Sequence, residues 1–234
     1  MLDCVRDPST GHFLGPVDGP TQEEALELFY AIPQNIPESD QDAQLQAHLG
    51  RLLTAVVDTG VLHEHPLIRG RVVGDADLTG EGPEDRHGHG TVVALLVSGV
   101  RFWPLLNVKV IPAAGYGSKK ALVRALGYIR DYKLSQPDRV LIAVVSLGIY
   151  SRRWLFLRCR GGCSVCKAAR RLGDVGVGIA AAAGNTPGRT ACPATVAVQG
   201  LHDQVSAVEA PDVPTSGIGT VPWTGRPAPF VPID

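Results

Sequence analysis

The chain has 234 residues, of which 44% are hydrophobic and 19% are charged, and its net charge is −1. This length and composition are typical of a globular protein with one large domain, which can bury a substantial core without cross-links. The small net charge excludes a general attraction to nucleic acid or anionic membranes, and no apolar run approaches the roughly 20 residues that cross a bilayer.

The first 50 residues are predicted to form an N-terminal extension, either prosegment-like or made of helices that pack on the core. Residues 1–20 are rich in Gly, Pro and Asp and predict a loop. Thr21 with Glu24 makes a capping-box pattern at the start of a short helix, and residues 40–49 predict a second helix. The N terminus has no apolar signal-peptide core, which predicts a cytoplasmic protein and leaves secretion open.

Strands and helices alternate after residue 50. The predicted elements are a strand at 52–57, a helix at 91–100, a strand at 108–112, a helix at 119–132, a strand at 139–147, a helix at 165–172, and strands at 177–183 and 194–200. Alternation with nearly continuous apolar strands predicts a mostly parallel sheet covered on both faces. Active groups in such sheets gather beyond the carboxyl ends of the strands. Three motifs stand there: Asp58-Thr59-Gly60, Ser146-Leu147-Gly148 and Ala183-Gly184-Asn185.

Two residues have the character of an acid–base pair. Asp58 ends a buried strand, where a carboxylate can hold an imidazole in one tautomer, although Asp-Thr-Gly taken alone favours a simple turn. His89 stands between glycines at the start of a predicted helix. With His87 it could instead bind a metal. The residues alone leave these alternatives open.

The motifs taken together resemble the subtilisin-like serine protease family, or subtilases. The segments that carry the resemblance are, in chain order, Asp58-Thr59-Gly60-Val61, His65-Pro66-Leu67, Gly70-Arg71-Val72, Gly88-His89-Gly90-Thr91, Asn107-Val108-Lys109-Val110, Ser146-Leu147-Gly148, Ala181-Ala182-Ala183-Gly184-Asn185 and Glu209-Ala210-Pro211. The match covers roughly residues 52–211. It implies a three-layer α/β/α fold with a mostly parallel central sheet, C-terminally truncated, with residues 51–234 as the peptidase domain.

The resemblance also implies roles for particular residues and a peptide or protein substrate. Asp58 would orient His89, which would take the proton from a serine hydroxyl, and Asn185 would donate to the oxyanion. The residues implied to line the two edges of the substrate cleft are Gly115 and Gly117 on one side and Ser146, Leu147 and Gly148 on the other. No cofactor is required by this chemistry.

One part of the family pattern is missing. The family nucleophile lies in a Gly-Thr-Ser motif, and this tripeptide does not occur in the chain. The segment most similar to this motif is at residues 225–231, and it contains no serine. Ser216 lies too near the Ala-Pro turn to match the family position. The prediction is therefore a serine endopeptidase domain whose nucleophile is missing or outside this chain. Three explanations stay open: truncation, a serine from a partner chain, or an inactive pseudo-subtilase that binds peptides or proteins.

A Cys- and Arg-rich insert is predicted at about residues 150–171. It contains Cys159, Cys163 and Cys166, which with Cys192 could hold a structural zinc ion, while Cys4 is predicted to be unrelated. Disulfides, if the protein is exported, and free thiols are the alternatives. Basic residues surround the cysteines, and a solvated edge is favoured over contact with nucleic acid. These residues are Arg152, Arg153, Arg158, Arg160, Lys167, Arg170 and Arg171.

Overall fold

The structure, a computed structural model, describes residues 51–98, 103–115, 117–150, 159–184 and 190–208, and the backbone of residues 231 and 232. The helices predicted before residue 50 lie outside these ranges, so the boundary at residues 50 and 51 stays a prediction. Among the described helices, none is both long and apolar enough to cross a membrane.

Helices and strands follow each other along most of the described chain, with β1 and β2, β4 and β5, and β7 and β8 as successive strands. In chain order they are β1 (Leu52–Asp58), β2 (Val72–Asp77), α1 (His89–Ser98), β3 (Leu105–Lys109), α2 (Lys119–Ser135), β4 (Val140–Val145), β5 (Leu147–Gly148), α3 (Ser164–Gly173), β6 (Gly178–Ala182), α4 (Thr195–Val198), β7 (Val205–Val208) and β8 (Val231–Pro232). Six strands form one sheet in the order β2-β3-β1-β4-β6-β7, and every pairing in it is parallel. A separate two-stranded sheet pairs β5 with β8.

Strand β1 lies in the middle of the sheet, and all seven of its residues are buried. Its alternating side chains enter two different apolar clusters. Leu53, Ala55 and Val57 pack with the buried faces of α2 and α3, whereas Val56 packs with the buried face of α1. Helices therefore cover both faces of the sheet, which confirms the predicted three-layer α/β/α fold.

The strand order changes direction at β1. The chain runs from β1 to β2 and β3 on one side, and then to β4, β6 and β7 on the other. Connections leave such a switch point in opposite directions, so a crevice opens beyond the carboxyl ends of the strands there. The residue at this position is Asp58.

The strand predicted at residues 194–200 is wrong. Residues 194–200 are not a strand, because Thr195–Val198 forms the short helix α4 and the strand follows at Val205–Val208. A short apolar run with β-branched residues fits the residue spacing of a strand or of a helix. Here the backbone N–H groups of Thr195 and Val198 donate to the carbonyls of Ala191 and Ala194, which closes helical turns. The strand predicted at 108–112 in fact spans Leu105–Lys109.

Candidate active site

Asp58 is the last residue of β1 and is completely buried. Side chains alternate along a strand, so Asp58 shares a face with Val56, which packs against α1. Its Oδ1 accepts a 2.7 Å hydrogen bond from the backbone N–H of Thr59. Within the described ranges, its Oδ2 has no hydrogen-bond partner. A carboxylate buried this deeply needs a charged or hydrogen-bonding partner on the α1 side.

His89 supplies that partner. It is the first residue of α1, and its Nδ1 lies 2.7 Å from Oδ1 of Asp58. The two side chains are 5% and 0% exposed, so water screens their interaction weakly. Because a carboxylate only accepts hydrogen bonds, Nδ1 carries the proton and Nε2 is left as the basic nitrogen.

The surroundings of His89 make its ring more basic. Burial by itself lowers the pKa of His89, but the charge of Asp58 and its hydrogen bond raise it, and the charge of Asp85 acts in the same direction. The net effect is a raised pKa, since a nearby carboxylate favours the protonated ring. Such an imidazole is suited to accept a proton from a weakly acidic group.

Asp85 joins the two loops that carry the pair. Its Oδ1 accepts hydrogen bonds from the hydroxyl of Thr59 at 2.9 Å and from the backbone N–H groups of His87 and Gly88 at 2.9 and 2.8 Å. Its Oδ2 accepts from the N–H and the hydroxyl of Thr91 at 2.8 and 2.6 Å. One carboxylate thus receives five hydrogen bonds, from the strand end and from the start of the helix.

These bonds keep Asp85 ionised. Burial raises the pKa of Asp85, but the hydrogen bonds from Thr91, Gly88 and His87 outweigh burial and hold the pKa below its usual value. The sequence motifs do not point to Asp85 as a residue of the site. The available signal was an aspartate placed shortly before a helix, where a carboxylate can satisfy the free N–H groups of the first turn.

The loops also touch directly at two glycines. A Cβ atom at Gly90 would overlap the carbonyl oxygen of Gly60, so only glycine permits this approach. The N–H of Gly90 donates to the hydroxyl of Thr59 at 2.8 Å. Gly60 itself has a φ of 107°, a conformation that favours glycine. The glycines beside His89 and Asp58 therefore set the distance between the two loops.

Comparison with known proteins finds subtilases among those similar in sequence to this chain. No protein-family model matches the chain. It is 31% identical over 148 residues to subtilase-type proteinase RRT12 of Saccharomyces cerevisiae, an alignment that covers 57% of this chain and 30% of the yeast protein. It is 30% identical over 159 residues to subtilase-type proteinase psp3 of Schizosaccharomyces pombe, covering 65% and 35%. Over more than half of its length, the chain is therefore similar in sequence to subtilases.

The solved structures agree with this on the level of the fold. Sphericase superimposes with a TM-score of 0.54 at 23% identity, covering 73% of this chain and 57% of that chain. The two alignments cover 30% and 35% of the curated relatives, so the chain spans about a third of their length.

The residues predicted to line the subtilase cleft follow the two strands that flank β1. Gly115 and Gly117 come after β3, and Gly115 turns the chain with a φ of 77°. Ser146, Leu147 and Gly148 come directly after β4. The hydroxyl of Ser146 is buried and has no hydrogen-bond partner in the described part of the chain. Both predicted edges thus start at the same end of the sheet as Asp58, and their contact with substrate stays a prediction.

Asn185 lies outside the described residues. The structure places Ala183 and Gly184 directly beyond the carboxyl end of β6, on the same edge of the sheet as Asp58. The oxyanion role of Asn185 therefore stays a prediction. Ser216 and the side chains of residues 225–231 also lie outside the described ranges.

The structure brings four cysteines together. The Sγ atoms of Cys159, Cys163, Cys166 and Cys192 all lie within 4.8 Å of one another, and none of these residues forms a disulfide. We call this group the cysteine cluster. The backbone of Cys192 is paired with that of Ile149, next to β5, so the cluster lies close in the fold to one predicted cleft edge. Cys4 lies outside the described residues.

Proposed function

We propose that this subtilase domain is part of a serine endopeptidase that hydrolyses peptide bonds in protein substrates. The observation that carries the proposal is the buried pair of His89 and Asp58, with Nδ1 and Oδ1 2.7 Å apart. This arrangement leaves Nε2 as a base, as catalysis by a serine hydroxyl requires.

In this mechanism, Nε2 of His89 removes the proton from the serine hydroxyl while the serine oxygen attacks the peptide carbonyl. Asp58 stabilises the imidazolium that forms, and the imidazolium then gives its proton to the leaving amine. The side-chain amide of Asn185 donates a hydrogen bond to the negatively charged oxygen of the intermediate. A donor of this kind contributes about 10²–10³-fold to turnover.

The nucleophile is the one element that the sequence does not supply in the family motif. Gly-Thr-Ser does not occur among the 234 residues. In the endopeptidase hypothesis, the serine belongs to further sequence of the same polypeptide or to a partner chain. Its hydroxyl would have to approach Nε2 of His89 from the open end of the sheet.

The missing motif favours a second candidate, a pseudo-subtilase that binds peptides or proteins without cleaving them. Removing the nucleophile of such a triad lowers turnover by about six orders of magnitude. The strand edges that hold an extended peptide do not depend on that hydroxyl, so binding could persist. Such a protein would act as a regulatory or binding module.

A fluorophosphonate probe separates the two candidates because it reacts with a serine only when a neighbouring base activates it. We would treat the product of the full gene and the 234-residue chain in parallel. Labelling of the full product, lost in His89→Ala, supports the endopeptidase. Absence of labelling in both, with retained peptide binding, supports the pseudo-subtilase and contradicts the endopeptidase.

Two controls make this experiment specific. His202→Ala removes another histidine, which pairs with Asp174 near the far edge of the sheet, and should leave labelling unchanged. Labelling of the 234-residue chain itself would show that one of its own serines is the nucleophile. Ser216→Ala would then test the nearest hydroxyl, and we expect it to have no effect.

A further inference from the structure

The cysteine cluster joins two distant parts of the chain. Cys159 precedes α3, Cys163 is the N-cap of α3, and Cys166 lies in its first turn. Cys192 comes from the segment after β6. Cys166 and Cys192 are completely buried, whereas Cys159 and Cys163 are partly buried. The cluster is therefore a closed group of four sulfur atoms with little access from solvent.

The spacing of the sulfur atoms fits one tetrahedral ion. A zinc ion with four sulfur ligands at about 2.3 Å places neighbouring sulfurs about 3.8 Å apart. Here Sγ of Cys159 and Sγ of Cys166 are 3.9 Å apart, and no pair in the cluster exceeds 4.8 Å. Thiolates that bind a multi-iron cluster attach to different irons, so this compact group favours a single ion.

The local charges also favour a cation at the centre. The backbone N–H of Cys166 donates to Sγ of Cys163 at 3.4 Å, as expected where a helix N terminus stabilises a thiolate. Zinc binds cysteine as the thiolate, so a divalent ion at the centre would compensate the negative charge of the sulfur atoms.

We propose that Cys159, Cys163, Cys166 and Cys192 bind one zinc ion as a structural site. Four protein ligands fill the tetrahedral coordination of zinc and leave no coordination position for a substrate. This distinguishes the site from a catalytic one. Basic residues lie near the ligands in the sequence, and their positive charge would oppose that of four thiolates. They are Arg160, Lys167, Arg170 and Arg171.

The ion would fasten α3 to the edge of the sheet that carries the predicted cleft. Cys192 exchanges two backbone hydrogen bonds with Ile149, at 2.9 and 2.8 Å, directly after β5. The N–H of Ala191 donates to the carbonyl of Ala183 at 2.8 Å, just beyond β6. Zinc at Cys192 would therefore fix the segment that bonds to Ile149 after β5 and to Ala183 after β6, whether or not the domain cleaves peptides.

Metal analysis of the purified full chain tests the proposal. We expect about one equivalent of zinc per chain, and cobalt in its place should give the visible absorption of a tetrahedral thiolate site. Removing zinc with a strong chelator should lower the thermal unfolding midpoint, and adding zinc should restore it. These measurements need no variant, so they remain decisive if a cysteine substitution prevents folding.

Single substitutions then locate the site. Cys166→Ser should reduce bound zinc to below about a tenth of an equivalent and remove the response to chelator. Cys4→Ser is the matched control, because it makes the same chemical change outside the cluster, and it should retain zinc.

Three outcomes would overturn the proposal. Mass spectrometry of the non-reduced protein could find disulfides among the four residues. Thiol titration of the metal-free purified protein could find that all five cysteines of the chain react, with no change on adding zinc. Iron instead of zinc in the purified protein would contradict the assignment of the ion.

Discussion

Replacing Asp85 by Asn should destabilise the domain strongly, although the side chain keeps its size. Oδ1 of Asp85 accepts three hydrogen bonds and Oδ2 accepts two. Asparagine has only one oxygen, so its amide nitrogen must face either the three donors or the two. The less costly choice directs the nitrogen at Thr91 and leaves the N–H of Thr91 without an acceptor.

The cost follows from these contacts. An unpaired, partly buried N–H costs about 1–3 kcal/mol. The three remaining hydrogen bonds lose the assistance of a full negative charge, which roughly doubles the strength of such bonds. Together these effects lower the free energy of unfolding by about 3–5 kcal/mol, a large fraction of the stability of a typical domain.

Urea unfolding of the full chain at neutral pH measures this effect. Asp131→Asn is the matched control, because Asp131 is 65% exposed and its partner among the described residues is the neighbouring Arg130 of α2. We expect the control to change stability by less than about 1 kcal/mol. Equal unfolding midpoints for Asp85→Asn and Asp131→Asn would refute the proposed role of Asp85.

The same variant has a defined pH dependence. The pKa of Asp85 in the folded protein lies below its usual value of 3.8. A carboxyl group with a lowered pKa stabilises the fold above its unfolded pKa and loses this contribution as the pH falls through the folded pKa. The stability difference between wild type and Asp85→Asn should therefore narrow below about pH 4.

Two further predictions concern the contact between the loops. Asp58→Asn should lower the pKa of His89, which NMR titration measures. In the wild type, the pKa of His89 is raised above its unfolded value of 6.5. Protonated His89 therefore stabilises the fold below pH 6.5, and this contribution is lost as the pH rises through the folded pKa. An unchanged titration would contradict the 2.7 Å pair. Gly90→Ala should destabilise by about 2 kcal/mol or more in chemical denaturation because a Cβ overlaps Gly60, whereas Gly127→Ala inside α2 meets open space and should stabilise by about 0.5–1 kcal/mol. Equal effects of the two substitutions would show that the loops do not meet as described.

The sequence predicts best those elements whose pattern reflects a continuous environment. Strand β1 is apolar at almost every position because both its faces are covered, and α2 has its buried residues at helical spacing. Strand β2 was not predicted. It lies at the edge of the sheet, its exposed positions are Val73 and Asp75, and Gly74 stands between them, so the strand has no clear apolar run.

For the candidate site, the sequence supplies the residues but not all of their relations. Asp58 and His89 are recognisable because Asp-Thr-Gly and Gly-His-Gly-Thr occur in family order, and the structure confirms that they meet. The role of Asp85 is not recognisable, because an aspartate in a loop has no pattern that identifies its five donors. Hydrogen bonds between segments depend on backbone positions that only the assembled fold defines.

The order of residues along the chain is enough to predict the fold class and the pairing of Asp58 with His89, and it contains no Gly-Thr-Ser. Each of these features depends on short motifs and on their succession. The fold is needed to show that Asp58 faces α1, because helices cover both faces of β1 and its alternate residues enter different apolar clusters. The fold also brings Cys192, which follows β6, to the three cysteines near α3. Contacts between distant segments follow from the packing of the layers, and no spacing within the sequence specifies them.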